Sequence, residues 1–74
     1  MRAKRYIKDI ILECLDPEGN HARDLVGEVS RRVGRPFSVY RISSYLSKMF
    51  EDGEVQREAE GISSSLTRYR WFRN

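Results

Sequence analysis

The hydrophobic period changes once along this chain, and that change limits the folds open to it. Up to Gly53 the apolar residues recur at helical spacing, in three segments separated by Pro and Gly. Beyond Gly53 they alternate as in strands. A chain of 74 residues has room for one domain. The expected fold is therefore α+β over residues 1–74, with three helices followed by a two-stranded β-hairpin.

The first helix is expected from Ala3 to Leu15, with Ile7, Ile10, Ile11 and Cys14 on one face and Ala3 extending it. Leu12 falls about 140° from Ile7 at ~100° per residue, and Tyr6 lies on the other flank. Asp16-Pro17-Glu18-Gly19 stops this helix. The second helix is expected from His21 or Ala22, with Asn20 as N-cap and Ala22, Leu25, Val26, Val29 and Val33 on its apolar face. Gly34 and Arg35-Pro36 end it. Gly27 within it costs roughly 1 kcal/mol against Ala, a cost that a close helix crossing would explain. Ser38 caps a third helix over Val39 to Asp52, whose apolar face is Val39, Ile42, Leu46, Met49 and Phe50. Strands are expected at 54–58 and 66–72, joined by a loop at 59–65. Val55, Tyr69 and Trp71 are the expected inward side of the hairpin, with Leu66 and Phe72 of opposite parity.

Composition excludes several classes of function. Cys14 is the only cysteine, so no internal disulfide forms, and a reducing, cytoplasmic setting is expected. With one His and one Cys, a zinc site of those ligands cannot be filled within one chain. The longest apolar run is Ile10-Ile11-Leu12, too short to span a membrane. The basic N-terminus is followed by Asp9 and Glu13, which argues against a signal peptide. The five glycines are scattered and form no phosphate loop. No nucleophile–base pair can be named, so no enzyme activity, no cofactor and no small-molecule ligand are expected. A chain this short buries only roughly 60% of its unfolded surface, so its core is small.

The net charge of +3 is modest, and its distribution says more. Arg2, Lys4, Arg5 and Lys8 cluster at one end, and Arg68, Arg70 and Arg73 at the other. No acid occurs between Glu28 and Glu51. Lysine occurs only at 4, 8 and 48, so eleven of the 14 basic residues are Arg. Arginine's planar fork suits phosphate, although base composition of the genome would produce the same ratio.

The order of elements resembles a winged helix-turn-helix domain. The stretch from Ser38 to Val55 looks like that superfamily's recognition helix running into its first wing strand. Within it, Tyr45-Leu46-Ser47-Lys48-Met49-Phe50-Glu51-Asp52-Gly53-Glu54-Val55 carries the pattern of leucine, basic residue, apolar residue, acids, glycine and valine found there. Tyr69-Arg70-Trp71-Phe72 looks like the return strand, and Gly19 through Val33 is similar to the segment leading into the helix-turn-helix of PadR-type regulators. Those regulators add a C-terminal helix that makes their dimer. This chain stops at Asn74, directly after the wing, so dimerisation must come from another surface or be absent.

The resemblance implies binding to double-stranded DNA by a transcriptional regulator, with the third helix in the major groove. Ser38, Tyr40, Arg41, Ser44 and Tyr45 are then expected near base edges, with Arg41 able to grip guanine, and Lys48 near a phosphate. Arg57 and Arg68 are expected near the tip of the wing, with Ser63, Ser64 and Ser65, for backbone or minor-groove contact. The bland reading of both surfaces is a solvated face, and Glu58 and Glu60 favour it on the hairpin. His21 is expected to be a surface or capping residue, and Cys14 buried and inert. The wide apolar arc of the first helix, through Tyr6 and Leu12, is the expected surface of a homodimer. Two other classes remain open. One is a winged helix that binds protein, and the other is an RNA-binding module that stacks bases on Tyr40 and Tyr45.

Overall fold

A computed structural model describes residues 7–63 and 66–74, the backbone alone being described at 62, 63, 66 and 67. Tyr6, Arg2, Lys4, Arg5, Ser64 and Ser65 lie outside the described residues. The elements follow in the order α1 (Ile7–Cys14), α2 (Ala22–Val33), α3 (Val39–Glu51), β1 (Val55–Ser63) and β2 (Leu66–Arg73). The class is α+β, three helices followed by a two-stranded antiparallel sheet. The molecule is elongated, 49 × 24 × 20 Å, and its radius of gyration of 12.6 Å exceeds the about 11 Å of a compact chain this long.

One core joins all five elements. Ile10 and Ile11 of α1 meet Leu25 and Val29 of α2, Ile42, Leu46 and Met49 of α3, and Val55 and Trp71 of the hairpin. No polar or charged residue is fully buried among the described residues, so the core is held by apolar burial alone. Leu15 and Phe37 belong to it although neither lies inside a helix. Leu12, expected beyond the apolar stripe of α1, packs partly against this core. Val39 and Phe50 correct the expected face of α3. Each is 37% exposed, because both sit at the edge of the stripe centred on Ile42, Leu46 and Met49.

Helix ends follow the sequence signals with one exception. Ser38 Oγ accepts the Arg41 N–H at 3.1 Å and caps α3. Gly34 ends α2 in the left-handed region, at φ 89°, and its N–H donates to the Ser30 carbonyl. The expected N-cap of α2 was Asn20, and the cap is His21. The His21 N–H donates to Asp24 Oδ2 at 3.2 Å. Asn20 is occupied elsewhere, since its backbone exchanges two hydrogen bonds with Trp71, at 2.9 and 2.8 Å. That bridge ties the α1–α2 connection to β2.

The hairpin is longer than the sequence suggests. The register runs from Val55↔Arg73 to Ser63↔Leu66, so most of the expected loop at 59–65 is strand. Glu58 lies opposite Arg70 and Glu60 opposite Arg68, and opposite charges across a ladder stabilise residues with little strand preference. An irregularity between Gly61 and Ser63 absorbs the extra residue. Among the described residues, no helix is long and apolar enough to cross a membrane.

Candidate functional site

Burial of Ile42, Leu46 and Met49 fixes which side of α3 faces out. Tyr40, Ser44 and Lys48, at i, i+4 and i+8, follow one another along the outward line. Tyr40 is 83% exposed. Ser43 and Ser47 flank this line, half-buried, and Glu51 closes it at the C-terminal end. Together these six residues line a shallow depression of about 430 Å³. Ser38, Tyr40, Arg41, Ser44 and Lys48 of the expected site are all exposed, though the Ser38 oxygen is engaged in capping.

Tyr45 lies apart from that line, and Arg41 lies on its Lys48 flank, seven residues before Lys48. The Arg41 guanidinium stands 4.7 Å from the centre of the Phe37 ring. The Tyr45 ring tilts against the same ring, with centroids 6.5 Å apart, and half of Tyr45 is covered. Phe37 therefore seats both residues at the entrance to α3, a role that its place in a loop between two helices did not reveal.

The two hairpin arginines differ. Arg57 was expected near the tip, and the register sets it opposite Trp71, toward the base of the hairpin and on its inward side. Residues alternate across a strand, so Arg57 shares a face with Val55, and it lies over the Phe50 ring at 4.1 Å and the Tyr69 ring at 4.3 Å. Arg68 is exposed and lines a groove of about 450 Å³ between α2, α3 and β2. Arg23, Asp24, Ser43, Ser47 and Tyr69 line it too. Arg23 escaped the sequence reading because arginines and acids balance between residues 16 and 36, and only the fold turns Arg23 toward Arg68.

The hairpin is also tied to the start of α2. Glu60 accepts a hydrogen bond from Arg70 Nε at 2.8 Å and pairs with His21 Nε2 at 2.7 Å. The Arg70 guanidinium, and after it the His21 contact, hold the Glu60 carboxyl below the usual carboxylate range. His21 Nδ1 lies 3.6 Å from Asp24, so the residue braces two elements beyond capping α2.

On the opposite side, Glu28 receives Arg31 and Arg32, and Arg32 also reaches Glu13 at 3.4 Å. Ile7, Ile10, Arg32 and Val33 line a depression there of about 440 Å³. Of the expected dimer residues, Leu12 is half-buried within its own chain, and Tyr6 lies outside the described residues. Cys14 is half-buried, not enclosed, and burial pushes its thiol above the ordinary value. Among the described residues, no group of His, Cys, Asp or Glu could hold a metal ion. No family model, curated protein or solved structure matches the chain.

Proposed function

We propose that the chain is a winged helix-turn-helix domain that binds double-stranded DNA with sequence preference, as a cytoplasmic transcriptional regulator acting as a homodimer. The hairpin serves as the wing. The observation that carries this reading is the outward face of α3. It displays Tyr40, Ser44 and Lys48, has no acid before Glu51, and borders a groove lined by Arg23 and Arg68 with the single acid Asp24. A duplex needs such a surface. Short hydroxyl side chains let the helix approach base edges, while cations on either side meet the phosphates.

In this mechanism Lys48, Arg23 and Arg68 neutralise backbone phosphates and release counterions, which supplies sequence-independent affinity. α3 supplies discrimination among base pairs. Arg57 holds the wing against α3 through its aromatic contacts. A two-fold dimer would present two α3 helices to successive major-groove faces of a palindromic site.

The test is fluorescence anisotropy with a duplex of random sequence across a salt series. Log affinity should fall linearly with log salt, at a slope near −0.9 per phosphate neutralised. Arg68→Ala should weaken all duplexes alike and reduce that slope by about one. No duplex binding at low salt defeats the proposal, and tighter binding to single-stranded RNA or to a protein would replace it.

A further inference from the structure

The exposed face of α3 lacks the groups that usually discriminate base pairs by paired hydrogen bonds. Arginine, asparagine and glutamine can hold a base edge with two parallel bonds. The outward line holds none of them, only Tyr40, Ser44, Lys48 and Glu51 with Ser43 and Ser47 beside it. Serine hydroxyls donate and accept, so they fit any base and choose little. The one guanidinium on α3 belongs to Arg41, about 100° around the helix from Tyr40 and about 20° from Lys48, on the flank where Lys48 is assigned to phosphate. It is stacked on Phe37 at 4.7 Å, a contact that occupies its face and holds its in-plane N–H donors on that flank of the helix.

Tyr40 is different in every respect. It is 83% exposed, the most exposed of the large apolar side chains on the described surface. Among the described residues, nothing stacks on its ring or hydrogen-bonds its hydroxyl. It is the one aromatic side chain projecting from the outward line. In the major groove the one apolar group on any base pair is the thymine C5-methyl.

We infer that Tyr40, not Arg41, determines sequence preference, and that the duplex it selects offers a thymine methyl group to its ring. Arg41 is a backbone-positioning residue that meets phosphate beside the groove. The inference rests on the reading of α3 as a major-groove helix, and it replaces the guanine contact that the sequence suggested for Arg41.

The experiment begins with enrichment of duplexes from a random library by the full chain. Each thymine of the enriched duplex is then replaced by deoxyuridine, which removes only the methyl group. The chain and its Tyr40→Ala, Tyr40→Phe and Arg41→Ala variants are measured on every duplex. Tyr40 is exposed, so Tyr40→Ala should melt like the parent, which circular dichroism checks. One deoxyuridine should weaken the parent about 4-fold, the loss expected for one buried methyl group, and leave Tyr40→Ala unaffected. Tyr40→Phe should keep the preference. Arg41→Ala should weaken all duplexes by the same factor and lower the salt slope by about 0.9.

A preference that survives Tyr40→Ala, or that is lost with Arg41→Ala and centres on guanine, overturns the inference and leaves the DNA-binding proposal standing. Loss of preference in Tyr40→Phe as well as Tyr40→Ala would move recognition to the hydroxyl and overturn the thymine assignment. Absence of duplex binding by the parent chain overturns both.

Discussion

The Arg57 guanidinium lies 4.1 Å from the centre of the Phe50 ring. Phe50 ends the exposed edge of α3, and Arg57 belongs to β1, so this contact joins the two elements whose mutual angle the proposed DNA site requires. The centres of the Tyr69 ring at 4.3 Å and the Trp71 ring at 5.8 Å complete the surroundings of the cation. A buried Trp71 beneath an arginine stack gives the hairpin a fixed seat on the helical body.

Arg57→Ala should lower stability by about 1 kcal/mol, the range of a partly exposed cation–π contact. For a domain this small that is a fall in Tm of roughly 4–8 °C. Arg57→Lys should recover part of it. Thermal melts followed by the fluorescence of Trp71, the only tryptophan, would check both the stability and the seating of the hairpin. An unchanged melt for Arg57→Ala would mean that the stack contributes nothing.

Gly27 needs no glycine. A Cβ built there meets no atom within 4 Å, so the close helix crossing that would explain its cost is absent. Gly27→Ala should therefore stabilise α2 by roughly 1 kcal/mol. The check is a chemical-denaturation midpoint, which should rise with an unchanged slope.

Gly19 behaves in the opposite way. Its φ is +88°, and an added Cβ would lie 2.6 Å from Phe72 Cε2 and 2.7 Å from Arg70 Cγ. Its carbonyl also accepts Arg70 Nη1 at 3.3 Å, so Arg70 is not free to retreat. Gly19→Ala combines a left-handed backbone penalty of about 1–2 kcal/mol with crowding against the hairpin. The variant should lose more than 2 kcal/mol, read from urea denaturation. A loss no greater than a surface substitution would mean that the turn relaxes.

Acid should weaken the tie between α2 and the hairpin. The folded Glu60 carboxyl is held below its ordinary value of 4.5 by Arg70 first and His21 second. Glu28 is held down by Arg32 first and Arg31 second. Both contributions are complete above that ordinary value, and they fade as pH falls through the depressed folded values. Denaturation midpoints should be level from neutral pH to about 5 and decline below it. Glu60→Gln should flatten part of that decline, and added salt should reduce it, because solvent reaches both the exposed Glu28 pairs and the part-buried Glu60 pair. The same decline in Glu60→Gln as in the parent would remove Glu60 from the account.

Three helices and a hairpin were legible because each carries its own local signal. Ser38 as cap of α3, Gly34 beyond α2, and the inward parity of Val55 and Trp71 are properties of short segments. The outward residues of α3 were legible too, since helical spacing puts Tyr40, Ser44 and Lys48 opposite Ile42, Leu46 and Met49. Arg57 was not: alternation gives it the face of Val55, but which rings it meets there depends on the register between two strands, and no local pattern states that. The extent of β1 was missed for the same reason. Glu58, Ala59 and Gly61 have weak strand preference alone, and their pairing with β2 outweighs it.

Sequence by itself determined the class of this protein. The positions of its apolar residues, caps and breakers leave few alternatives to three helices and a strand pair, because those preferences act within a few bonds. Tertiary structure alone decided which charges remain available to a partner. Arg23 and Arg68 line one groove, Arg41 leans on Phe37, and Arg57 is taken up by Phe50 and Tyr69. A side chain's freedom depends on neighbours brought from distant parts of the chain, and those neighbours are fixed only when the core has closed.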